Sequence, residues 1–104
     1  MSVEHTLLKD IEESQRWLEV EKDDSTYKRD LINRIELINW VLDIMKNPDV
    51  FICVKIEFRM SDIITAINRT YTIFEADKLH SELRILDWIF YQVCSNDIKK
   101  FERI

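Results

Sequence analysis

The chain of 104 residues contains no glycine and only one proline, Pro48. The tight turns of all-β folds use glycine or asparagine at positions with positive φ, so a chain without glycine is poorly suited to many hairpins. Helical bundles need few such positions. A length of 104 residues corresponds to one domain, and an apolar fraction of 46% can supply its core. We therefore predict a single helical domain over residues 1–104.

Apolar residues recur at helical spacing in three segments of the chain. The first helix is predicted over about Val3 to Lys22 and the second over about Thr26 to Lys46. The second is apolar on two sides, which predicts neighbouring helices on both. The last begins at Thr72 and Glu75, which match a capping box, and ends near Cys94, before the polar run 95–97.

The segment between the second and last helices has an ambiguous pattern. It follows Asn47-Pro48-Asp49, which is typical of a helix N-terminus, and it opens with VFICVKIEF over residues 50–58. Val, Ile and Phe favour a strand, yet Val50, Val54 and Phe58 also repeat at four residues. We predict an all-α fold, an antiparallel four-helix bundle with short loops. The alternative is an α+β fold with a strand or small hairpin near 50–58.

The negative charge of the chain is concentrated at its beginning. Residues 1–24 carry eight acids and three bases, whereas residues 25–104 carry twelve of each, so the net charge of −5 belongs to the first segment. Proteins that bind nucleic acid show a basic stripe, and none is present. This distribution predicts no direct contact with nucleic acid or an anionic membrane. It predicts a partner with a basic surface.

The two cysteines, Cys53 and Cys94, lie in apolar contexts without metal-binding spacing. We expect buried free thiols in a reducing compartment, with a disulfide as the alternative. The N-terminus is charged and has no apolar signal core, and no apolar run approaches the ~18 residues of a membrane span. The sequence therefore predicts a cytoplasmic protein.

No catalytic, cofactor-binding or metal-binding motif stands out from the sequence. His80, followed by Arg84 and Asp87 on one helix face, is a candidate for acid–base chemistry, but a solvated helix face accounts for the same pattern. The isolated histidines and cysteines give no zinc site, and a chain without glycine has no Gly-rich phosphate loop. We predict that the protein is not an enzyme and holds neither a cofactor nor a metal.

Trp17 lies in DIEESQRWLEVEKDD, a stretch that contains seven carboxylates. On a helix it is offset from the main apolar stripe, and the residues four and seven positions away are all acids: Asp10, Glu13, Glu21 and Asp24. One interpretation is that the indole folds down at the edge of the bundle and holds the first helix on the second. The other is an exposed anchor, because tryptophan is enriched at interface hot spots.

Two functional hypotheses follow from these patterns. The first is a small acidic protein-binding regulator that blocks a basic surface of a larger protein, such as a nucleic-acid enzyme, with Trp17 as its anchor. A phage or mobile-element inhibitor, or an immunity-type protein, fits this description. The second is a structural or assembly subunit, a homodimer formed through the faces of Trp40 and Trp88 and through the run 50–58.

Overall fold

The computed structural model describes residues 3–21, 26–47 and 49–102, and all of the regular structure within them is helical. Helix α1 spans Val3–Val20, α2 spans Thr26–Met45, α3 spans Ile52–Arg69 and α4 spans Ile73–Glu102. The predicted four-helix bundle is confirmed. The alternative with a strand or hairpin near 50–58 is wrong, since most of that run lies inside α3.

The bundle is organised around the contact between α2 and α4. Helix α1 packs on α2, and α3 packs on α4 and touches α2. The prediction that the second helix has neighbours on both sides is therefore confirmed. Within the described ranges, no helix is long and apolar enough to cross a membrane. The side chains at the centre of the core come from all four helices and include Leu7, Ile38, Val41, Ile56, Leu86 and Ile89.

The start of α3 differs from the prediction based on Asn47-Pro48-Asp49. The side chain of Asn47 accepts a hydrogen bond from the Asp49 amide at 3.1 Å, which closes a short turn rather than capping a helix. The helix begins at Ile52, after an extended Phe51 that makes no side-chain capping bond. Pro48 itself lies outside the described residues. Asparagine can stabilise its own local turn, and that turn accounts for the later start.

The start of α4 was predicted correctly, but its end was not. The Glu75 amide donates to Thr72 Oγ1 at 3.2 Å, as a capping box requires. The Glu75 carboxylate instead accepts a hydrogen bond from Thr70 Oγ1 at 2.8 Å. The helix continues through the polar run 95–97 to Glu102. Serine, asparagine and aspartate each disfavour a helix by less than ~1 kcal/mol, and no glycine or proline is present there to stop it.

The connections that the structure describes contain no left-handed residue. None of the described residues has a positive φ. Helix α3, for example, ends at Thr70 in an extended conformation, with φ −83° and ψ 145°, and the Thr70 amide donates to the carbonyl of Ile67. Helices commonly end with a glycine of positive φ, and this chain has none. At the end of α3 the absence of glycine is thus accommodated by an extended residue.

Cys53 on α3 and Cys94 on α4 form a disulfide, with their Cα atoms 6.2 Å apart. The prediction of two free buried thiols is therefore wrong. The two cysteines are 41 positions apart in sequence, and the packing of α3 against α4 brings them together. Disulfides persist mainly in oxidising environments. The cysteines consequently no longer support a reducing compartment.

Candidate binding cleft

A cleft of about 490 Å³ opens where α1, α2 and α4 meet. Residues of all three helices line it, among them Trp17 from α1, Tyr27 and Arg34 from α2, and Ser81 from α4. The two aromatic side chains are exposed, while Ser81 is buried. The cleft therefore has accessible aromatic groups above a buried floor that combines Ser14 and Ser81 with Leu31 and Ile85. Apolar side chains with a few polar groups are typical of a binding surface.

An ion pair between Asp10 and Arg34 joins α1 to α2 within the cleft. The two distances, Nε to Oδ1 and Nη2 to Oδ2, are 2.5 and 2.8 Å. The Arg34 side chain is 29% exposed and that of Asp10 is 18% exposed. The buried Ser14 also donates to Asp10 Oδ1 at 3.3 Å. This bidentate geometry is the strong form of an arginine–carboxylate contact.

The environment of Arg34 favours its charged form. Its hydrogen bond to Asp10 raises the pKa of Arg34, partial burial opposes the rise, and the charge of Asp10 adds to it. The guanidinium also lies over the ring of Trp88 on α4, 4.4 Å from the centroid, which is a cation–π distance. One side chain thus links α2 to both α1 and α4, and it keeps its charge throughout the working pH range.

A second carboxylate in the cleft has similar partners. Asp30 on α2 accepts a short hydrogen bond from the hydroxyl of Ser81 on α4. Arg84 Nη2 lies 3.8 Å from Asp30 Oδ2, and its side chain is largely exposed. An ion pair this long and exposed contributes little to stability. Both arginines that line the cleft therefore have a carboxylate partner.

The predicted anchor, Trp17, is 57% exposed. It is not among the side chains that pack against the core. This exposure does not support the interpretation that the indole folds down to hold α1 on α2. The Asp10–Arg34 ion pair forms that link instead. The ring of Trp17 is left accessible on the side of the molecule where the cleft opens.

The four acids predicted around Trp17 have different surroundings. Glu13 lines the cleft, is exposed, and has no hydrogen-bond or ion-pair partner among the described residues. Asp10 also lines the cleft, but Arg34 neutralises it. Glu21 follows α1, is partly buried, and is not part of the cleft lining. Asp24 lies outside the described residues. Glu13 is thus the predicted acid that brings uncompensated charge to the cleft.

The structure adds residues that the sequence pattern did not indicate. Tyr27, Asp30, Arg34 and Ser81 reach the cleft because α2 and α4 pack beside α1. The spacing of Asp10 and Ser14 by four residues was a local signal for their contact. No sequence signal connects Arg34 with Trp88, since they lie on different helices. The contact between Arg34 and Trp88 depends on the packing of α2 against α4.

No protein-family model, curated protein or solved structure matches this chain.

Of the three residues in the acid–base candidate, Arg84 lines this cleft, whereas His80 and Asp87 do not. His80 is exposed on α4 and lines none of the described cavities. Within the described ranges, no group of three or more His, Cys, Asp or Glu side chains converges as a metal site would require. The structure thus gives His80 no surroundings that suggest acid–base chemistry.

Trp40 and Trp88 are partly buried and pack against the core. Each has a guanidinium over its ring: Arg59 lies 4.5 Å from the centroid of Trp40, and Arg34 lies 4.4 Å from that of Trp88. One guanidinium thus covers one face of each ring, and both rings also pack against the core. A homodimer through these tryptophan-rich helix faces stays a prediction.

Proposed function

We propose that this protein is a non-enzymatic binding regulator that occupies a basic surface of a larger protein. The observation that carries the proposal is the exposed indole of Trp17 beside a cleft that contains the unpaired Glu13. Exposed tryptophan is a costly side chain to leave in water, and it is enriched among the residues that dominate binding energy.

The charges of the cleft support a cationic partner. Arg34 is held by Asp10, and Arg84 lies 3.8 Å from Asp30, so the two arginines offset two of the three carboxylates that line the cleft and leave Glu13. Helix α1 carries five acids and two bases in total: Glu4, Asp10, Glu12, Glu13 and Glu19 against Lys9 and Arg16. Such a surface attracts positive charge and raises the association rate with a basic partner.

The aromatic side chains provide the short-range part of the interaction. A lysine or arginine of the partner can lie over the ring of Trp17 or Tyr27, with the Glu13 carboxylate within reach of its charge. Cation–π contacts of this kind contribute about 0.5–2 kcal/mol, and more when water is excluded. Because α1 lies on the outside of the bundle, the partner can be a surface much larger than this protein.

The mechanism in this proposal is steric occlusion. A basic groove that normally holds nucleic acid is covered by the acidic α1 surface, with Trp17 inserted as the anchor. Enzymes that act on nucleic acid have such grooves. An inhibitor encoded by a phage or another mobile element, or an immunity-type protein, would act in this way.

A cytoplasmic place of action is part of the proposal. It can be tested through Cys53 and Cys94. Native cells are quenched with acid, and their free thiols are then alkylated at neutral pH. Both cysteines of a cytoplasmic protein should be mostly alkylated, since thiols are kept reduced in the cytoplasm. A fully oxidised pair would place the protein in an oxidising compartment instead.

Affinity capture with matched variants tests the function. Wild type, Trp17→Ala and Tyr71→Ala are immobilised and exposed to extract of the native host, and bound proteins are identified by mass spectrometry. Tyr71 is the control because it is 99% exposed and lies outside the cleft. We expect a basic protein that binds wild type and Tyr71→Ala but is lost with Trp17→Ala.

Salt and charge variants then test the electrostatic part. Affinity for the captured protein should fall as salt rises to about 0.5 M, because the Debye length shortens from ~10 Å at 0.1 M. Glu13→Gln should reduce both the affinity and its salt dependence. Equal capture by Trp17→Ala, or an affinity that is indifferent to salt, would contradict the proposal.

A further inference from the structure

The outward face of α3 is apolar at its N-terminal half. Phe51, immediately before the helix, is 81% exposed, Phe58 is 65% exposed and Val54 is 47% exposed. At about 100° per residue Val54 and Phe58 lie on one side of the helix, and Phe51 is the N-cap residue three positions before Val54. The buried residues Ile56 and Ile63 lie on the other side, against the core. The exposed stripe is therefore the centre of the solvent-facing side, not the margin of the core.

This position is unusual for large apolar side chains. A helix at the surface of a monomer normally has charged or polar groups opposite its core face. Helix α3 packs on α4 and α2 through its inner face, and no other described helix covers its outer face. Contiguous exposed apolar side chains on a small domain indicate an interaction surface.

The charges beside the stripe make it self-complementary. Lys55 and Asp62 are exposed, are seven residues apart, and therefore lie on the same flank of α3, two turns from each other. Neither has an ion-pair partner among the described residues. A surface with one base and one acid on the same flank can pair with a copy of itself when the two helices run antiparallel.

We propose that α3 binds α3 of a second copy of this chain in an antiparallel, two-fold symmetric dimer. The axis passes near Phe58, so the two Phe58 rings meet at the centre. Lys55 of each copy then lies opposite Asp62 of the other, which gives two ion pairs. Val54 and Phe51 extend the apolar contact toward each end of the pair.

The dimer is independent of the proposed function at the cleft. The cleft lining comes from α1, α2 and α4, and α3 contributes no residue to it. Pairing through α3 consequently leaves both clefts open. The assembled protein presents two binding sites, and a partner with two basic segments would be bound with avidity.

Sedimentation equilibrium and light scattering over a concentration series test the proposal. Wild type should pass reversibly from the 12.6 kDa monomer to a species of twice that mass. Phe58→Asp should raise the dissociation constant at least about 30-fold, the scale of a hot-spot loss. Tyr71→Asp is the control, because it introduces the same charge at an exposed aromatic residue away from the stripe. It should dimerise like wild type.

Charge reversal tests the orientation of the two helices. Lys55→Glu should weaken the dimer roughly tenfold, because two attractions become two repulsions. Adding Asp62→Lys to Lys55→Glu should restore the dimer. A Lys55→Glu/Asp62→Lys variant that dimerises no better than Lys55→Glu would overturn the antiparallel arrangement.

Circular dichroism of each variant should show that the helices are retained, since every substituted side chain is exposed. A wild type that stays monomeric at its highest soluble concentration overturns the dimer. A Phe58→Asp variant that dimerises as well as wild type does the same.

Discussion

Arg34 on α2 donates two hydrogen bonds to the carboxylate of Asp10 on α1, and the bond from Nη2 to Oδ2 is 2.8 Å long. Helix α1 packs mainly on α2, so this pair lies at its principal contact with the bundle. The same carboxylate belongs to the acidic set predicted around Trp17. Asp10, together with the buried Leu7 and Ile11, therefore holds the helix that carries the exposed indole against the bundle.

A double-mutant cycle measures the contribution of this pair. With Asp10→Ala, Arg34→Ala and the double variant, the coupling in the free energy of unfolding should be about 1.5–3 kcal/mol, the range for hydrogen bonds to charged groups. The exposed pair Lys46–Asp43, 3.5 Å apart, is the control and should give about 0.2–0.5 kcal/mol. Equal coupling energies for the two pairs would contradict a specific role for Asp10.

The disulfide between Cys53 and Cys94 should provide a large part of the stability. It closes a loop of 41 residues, and the chain-entropy relation gives about 4 kcal/mol for a loop of that length at 25 °C. We expect dithiothreitol to lower the urea midpoint of wild type. The Cys53→Ala/Cys94→Ala variant should start lower and be insensitive to the reductant. Two titratable thiols in protein prepared without reductant would show that the bond is not formed.

The tryptophans should differ sharply in their effect on folding. Trp17→Ala should lower the free energy of unfolding by less than ~1 kcal/mol, as expected of an exposed side chain. Trp88→Ala should cost about 3 kcal/mol, because that ring packs against the core and supports Arg34. Urea denaturation followed by circular dichroism measures both.

Fluorescence provides an independent measurement on the same residues. The emission that disappears in Trp17→Phe should be the red-shifted component that acrylamide quenches most readily. The component lost in Trp88→Phe should be protected. A protected Trp17 would remove the basis for its role as an anchor.

The cap at the start of α4 is a local and separable contribution. Thr72→Ala should destabilise the protein by about 1 kcal/mol, because the Glu75 amide loses its acceptor. Thr72→Ser keeps a hydroxyl and should be close to wild type. If both substitutions cost the same, the threonine methyl group and not the hydrogen bond would be responsible.

The helices could be predicted from the sequence because their signals are local. The capping box at Thr72 and the spacing of Leu7 and Ile11 depend only on residues within one or two turns of each other. The run 50–58 was harder, since its Val, Ile and Phe content also suits a strand. Its four-residue periodicity correctly indicated a helix. The run contains many apolar residues because some of them face the core and others face solvent. They cover both faces of α3.

The features that were not predicted depend on which helices meet. The pairing of Cys53 with Cys94 needs the contact between α3 and α4, and a separation of 41 residues says nothing about distance in space. The partner of Asp10 is 24 positions away on another helix. Trp17 could be placed in an acidic environment from its neighbours along α1. The neutralisation of Asp10 by Arg34 could not be predicted from the sequence.

The disulfide has a consequence for the exposed connection between α3 and α4. Tyr71 in that connection is almost fully accessible, and such sites are where proteases cut. The bond from Cys53 to Cys94 joins the chain on either side of the connection. A single cut there would yield two fragments that still migrate as one band without reductant, with the helices of each half held in register by the covalent bridge.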